Sequence, residues 1–100
     1  MTRSEWPADV VDAINARSRG VCELRAVRGD KCWRRASHKH HRLRVSQGGP
    51  FTLSNALHVC VACHAYIHND ALARGLAHER GWLLRRGDDP ETTPADIFSR

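Results

Sequence analysis

Histidine and cysteine are the residue types best equipped for chemistry in this chain, and their spacing is specific. Three of the seven histidines, His38, His40 and His41, stand within four positions in the stretch SHKHHR. Two more, His64 and His68, are four residues apart, which on a helix puts both imidazoles on one face, one turn apart. Imidazoles so placed can share a metal ion. A third imidazole, from a strand packed against that helix, would complete a three-nitrogen set with positions left for water and a phosphate oxygen. His40 is the candidate. Neighbouring strand residues face opposite sides, so His41 is left for a different task. A neutral imidazole beside a metal-bound phosphate is a suitable general base for activating water.

The four cysteines, Cys22, Cys32, Cys60 and Cys63, can form two disulfides or one tetrahedral thiolate site. The N-terminal stretch MTRSEWPADVVDAINARSRG has no apolar run of signal-peptide length, so a reducing, cytoplasmic compartment and a metal site are expected. Cys60-x-x-Cys63 is a tight knuckle, whereas Cys22 and Cys32 flank a Gly29-Asp30 turn. One structural zinc would tie these segments together and compensate for the small core of a 100-residue chain. No segment approaches the ~20 apolar residues of a membrane span.

The elements that must position these residues make a single α+β domain over residues 1–100, its core at about 21–86. Pro7, the apolar spacing of Val10, Val11 and Ile14, and Gly20 predict an amphipathic helix of roughly three turns, packed as a lid. VCELRAV and CWRRASHKHHRLRV predict a hairpin-like pair of short strands, which puts the histidine cluster on a strand. SQGGPFTLSN reads as a loop, and ALHVCVACHAYIHND as a helix carrying His64 and His68. Asn69 or Asp70 caps a further helix through ALARGLAHER, which Gly81 ends. GWLLRR predicts a last short strand, and residues 87–100 a polar, loosely held tail. Trp33, Leu43, Val59, Ile67, Trp82 and Leu83 are expected in the core. His38 and His58 are expected at a surface or groove, His78 in solvent, and Trp6 and Phe98 as anchors of the ends.

The net charge is +5, and between Lys31 and Arg44 six lysines or arginines occur with no acid. Such a run suits a polyanion. Arg34, Arg35, Lys39, Arg42 and Arg44 are the expected phosphate contacts, with Arg42, beside His41, nearest the reacting bond.

The span HHRLRVSQGGPFTLSNALHVCVACHAYIH resembles the ββα-metal core of HNH (His-Me finger) endonucleases: a His-His strand, a Gly-Gly loop, a central Asn and a helix with His-x-x-x-His. The histidine arrangement is similar to that of colicin nucleases. The four-cysteine frame and the GWLLRRGDDP ending are similar to small free-standing HNH proteins of actinobacterial phages. The resemblance covers residues 21–86. It implies a small ββα-metal core with a four-cysteine structural Zn2+ site, an N-terminal helix and a C-terminal helix plus short strand. His40, His41, Asn55 and His64 form the implied catalytic set. His41 is its general base and Asn55 braces the loop, while His40, His64 and His68 hold one catalytic divalent ion: Mg2+, Mn2+, Ni2+ or Zn2+. The implied reaction is hydrolysis of double-stranded DNA to 5′-phosphate and 3′-hydroxyl ends, by a monomer or weak dimer in a bacterial or phage-infected host cell, with phage terminase subunits as partners. Two departures from the family pattern are His40, where many relatives carry Asp, and the wide Cys22 to Cys32 spacing. Two other classes compete: a non-catalytic zinc-ribbon module that binds nucleic acid, and a toxin-like nuclease that needs an inhibitor.

Overall fold

The computed structural model describes residues 6–24 and 32–97. Pro7 is the N-cap of helix α1 (Ala8–Ser18), and the chain leaves that helix through Arg19 in the left-handed region (φ 55°). Ile14 and Ser18 form its buried edge. Arg17 fastens the last turn. Its guanidinium pairs with the fully buried Glu23 (Nη2 to Oε1, 2.7 Å) and donates to the carbonyls of Leu53 and Ala56.

The histidine stretch is indeed a strand, β1 (His38–His41), but its partner is not the segment before it. It pairs antiparallel with β2 (Ala56–Val59), and the register sets His38 opposite Val59, Lys39 opposite His58, His40 opposite Leu57 and His41 opposite Ala56. ALHV therefore departs from the expected helix. All four of its residues are buried, because α1 covers one face of the sheet and the next helix the other. A short strand buried on both faces loses the polar alternation that marks strands and cannot be told from the helix that follows it. The expected first strand survives only as an isolated bridge, Val21 to Arg35, and its Gly29-Asp30 turn lies outside the described residues.

Opposed residues in an antiparallel pair share a face. His38, His40, Leu57 and Val59 face α2 (Val61–Asn69), while Lys39, His41, Ala56 and His58 face α1, whose Ser18 Oγ bonds His58 Nδ1 at 2.7 Å. His58 is thus buried rather than at a surface. Cys60 caps α2, its Sγ accepting from Cys63 N at 3.3 Å. Asp70 caps α3 (Ala71–Glu79) by accepting from Ala73 N at 2.9 Å.

After α3, GWLLRR forms no strand. Trp82 is fully buried, and the segment is held by Leu84 N donating to Arg42 O and Trp82 Nε1 donating to Asp96 O. Residues 87–97 are not loose. They close over Arg42, whose guanidinium donates to the carbonyls of Gly81, Ser54, Pro90 and Thr93, and Ile97 bridges to Leu24. Gly81 is required at this crossing, since a Cβ there would stand 2.2 Å from Pro94 O. The core gathers Cys22, Leu24, Leu57, Val59, Cys60, Cys63, Ile67, Ala77, Trp82 and Leu83. Trp33 is the exception among the expected core residues, at 64 % exposed. No helix among the described residues is long and apolar enough to cross a membrane.

Candidate functional site

β1 and α2 bring His40, His64 and His68 together, with one nitrogen of each lying within 4.8 Å of the others. Ring centroids are 5.2 Å apart for His40 and His64, 5.4 Å for His40 and His68, and 4.8 Å for His64 and His68. His40 is buried, and its Nε2 lies 2.8 Å from the carbonyl oxygen of Trp82. A carbonyl only accepts, so Nε2 carries the hydrogen and Nδ1 keeps a lone pair. Such outer contacts fix the tautomer and aim of a metal-binding imidazole.

Burial, reinforced by neighbouring His64, His68 and His41 against the opposing Trp82 bond, lowers the His40 pKa to about 3. His64 falls to about 4, mainly through burial and then through His68 and His38. His68 is lowered by burial and then by Arg44 and Arg74. All three are neutral near pH 7, the form that ligates metal. Three neutral imidazoles fit one divalent ion with positions to spare.

His41 turns to the opposite face. Its ring lies between Trp6 (centroids 4.4 Å) and Phe51 (4.7 Å), both on segments that border α1 and the Gly-Gly loop. Asn55 is fully buried and acts as a brace. Its Oδ1 accepts from Leu43 N at 2.8 Å, and its Nδ2 donates to Leu43 O at 3.0 Å and Pro50 O at 2.9 Å. The loop between β1 and β2 is pinned at both ends by one side chain. Gly49 lies within it where a Cβ would come 1.8 Å from Leu43 O.

The second cluster is Cys22, Cys32, Cys60 and Cys63, whose sulfurs all lie within 4.8 Å of one another, with no disulfide between them. Zn–S bonds of about 2.3 Å in tetrahedral geometry put sulfurs about 3.8 Å apart. Cys32 Sγ and Cys60 Sγ are 3.8 Å apart. Hydrogen bonding between them pulls the Cys22 thiol down and pushes the Cys63 thiol up. Burial raises Cys32. These four residues can hold a metal such as zinc.

The basic residues divide. Arg34, Arg35 and Arg44 are exposed and Lys39 half-buried. Arg42 does not fit its expected place at the reacting bond: it is 3 % exposed and its donors are spent on four carbonyls, so it ties the tail to the core. Arg74, on the exposed side of α3, was not anticipated. With Arg44, which is also exposed, its charge lowers the His68 pKa after burial does. Nothing local in ALARGLAHER marks Arg74, because its nearness depends on how α3 folds back on α2. Also missed was the Trp82 carbonyl that holds His40, a backbone group invisible to residue patterns. His78 is half-buried rather than solvated.

No protein-family model matches the chain, and no curated protein matches it.

Proposed function

We propose that this protein is a metal-dependent DNA endonuclease or nickase of the HNH type, acting on phosphodiester bonds of double-stranded DNA. Its principal support is the set of three neutral imidazoles, His40, His64 and His68, gathered within 4.8 Å while the adjacent strand residue, His41, is turned to the other face. The order strand, braced Gly-Gly loop, strand, helix adds to it, as does the four-cysteine cluster beside the helix start.

His40, His64 and His68 would hold a divalent ion, which would supply Lewis-acid polarisation of a phosphate and of its 3′ leaving oxygen. Every other task falls to the chain. The Trp82 carbonyl keeps His40 Nδ1 open toward the ion. His41 takes a proton from the water that attacks phosphorus, with Trp6 and Phe51 fixing the plane of its ring. Arg44 and Arg74 at the rim hold the phosphate, and Arg34, Arg35 and Lys39 draw in the polyanion. Asn55 braces the loop that joins β1 to β2 and touches no reacting atom. Zinc on the cysteines holds the scaffold. Phage DNA packaging beside a terminase is the setting that the resemblance suggests.

The test is nicking of supercoiled plasmid by wild type and His41→Ala, with Mg2+, Mn2+, Ni2+ or EDTA. Metal-dependent nicking that His41→Ala abolishes, with zinc content and fold unchanged, is the expected result. DNA binding without cleavage under any metal would instead favour a non-catalytic zinc-ribbon module.

A further inference from the structure

His38 lies outside the triad and outside the motif, yet its Nδ1 stands 2.9 Å from the Nδ1 of His64, with ring centroids 5.0 Å apart. The contact follows from strand alternation: His38 is two residues before His40 and so shares its face, toward α2. A bond between two imidazole Nδ1 atoms needs one N–H and one lone pair. If His38 donates, a neutral His64 must carry its own hydrogen on Nε2 and has no lone pair left for a metal. When His64 donates instead, its Nε2 lone pair is open and His38 Nδ1 is the acceptor. A metal held through His64 Nε2 selects the second arrangement.

We propose that His38 is a positioning residue for the metal site, accepting a hydrogen bond from His64 Nδ1–H and so fixing the tautomer and aim of His64. This rests on the assignment of His40, His64 and His68 as metal ligands. Direct ligation by His38 fits less well. Donors of one ion with bonds of about 2.1 Å are at most about 4.2 Å apart, and His38 is not in the set whose donors all lie within 4.8 Å. Its role is that of the carboxylate or carbonyl that usually backs a metal-bound histidine, as Trp82 O does for His40. His38 is exposed, so replacing it leaves the core untouched.

The test is titration of Co2+ into zinc-loaded wild type, His38→Phe and His38→Asn, followed by calorimetry and by cobalt absorption. Phenylalanine keeps a ring without an acceptor; asparagine puts Oδ1 near the place of Nδ1. His38→Phe is expected to weaken cobalt binding about 10–100-fold, and His38→Asn to restore most of the loss with the wild-type cobalt spectrum. Equal affinity in His38→Phe overturns the proposal, as does failure of asparagine to restore binding. A changed cobalt spectrum in His38→Asn overturns it in favour of direct ligation. Wild type that takes up no cobalt beside its zinc overturns the metal-site assignment and this inference together, whereas binding indifferent to His38 overturns this inference alone.

Discussion

The two donor clusters share one helix but differ in their surroundings. Cys22, Cys60 and Cys63 are core residues, drawn with Cys32 from three separate stretches of chain. His64 and His68 are only half-buried on α2, with exposed Arg44 and Arg74 nearby. Four thiols, three buried and one half-buried, suit a closed site, in which the protein supplies every ligand. Three imidazoles at a charged rim suit an open one. Cys63 and His64 are consecutive, and successive helical residues diverge by about 100°, so one enters the core as the other turns to the triad. Anchoring the start of α2 through Cys60 and Cys63 thus also fixes where His64 points. The stability of one site sets the geometry of the other.

Several changes would break or sharpen this division of labour. Cys60→Ser should have the largest effect, because Cys60 is at once a sulfur of the quartet and a core residue, while serine can still cap α2. Structural zinc is worth roughly 10–16 kcal/mol in small domains, so loss of the cooperative thermal transition is expected. His64→Ala should leave that transition in place while abolishing any metal uptake by the imidazole set. If both variants unfold alike, the two clusters are one structural unit.

His41→Ala should reduce nicking about 10²–10⁴-fold, the range of a lost general base. Cobalt affinity should stay unchanged, because His41 faces away from the triad. A parallel loss of metal would place His41 among the ligands.

Asn55→Ala sits between the two regions. It strips partners from Leu43 N, Leu43 O and Pro50 O, and a urea denaturation midpoint should report a loss of about 3 kcal/mol. The smallest change belongs to the rim. Arg44→Ala and Arg74→Ala should each lower the slope of log DNA affinity against log salt by about 1, without altering thermal stability. Arg42→Ala should do the reverse, destabilising the fold and leaving the salt slope unchanged.

Much of the site was legible because metal chemistry depends on residue type and local spacing. His64 and His68 at four-residue spacing required only a helix, and His40 against His41 only a strand. The capping of α3 by Asp70 was equally local. What escaped the sequence depended on partners distant in the chain. ALHV looked helical because both its faces are covered. Arg42 looked like a phosphate contact because its charge, and not the four carbonyls around it, is written in the sequence. Trp33 looked like core by composition, yet it projects outward beside Arg34 and Arg35.

By itself the sequence determined the donor types, their grouping into a thiolate set and an imidazole set, and the opposite facing of His40 and His41, since these follow from side-chain chemistry and from helix and strand periodicity. Tertiary structure alone decided that β1 pairs with the strand after the loop, that the Trp82 carbonyl backs His40, and that His38 reaches His64. Those contacts link residues 15 to 42 positions apart, and in a chain of 100 residues such pairings are selected by which faces can be buried together, a property of the whole core.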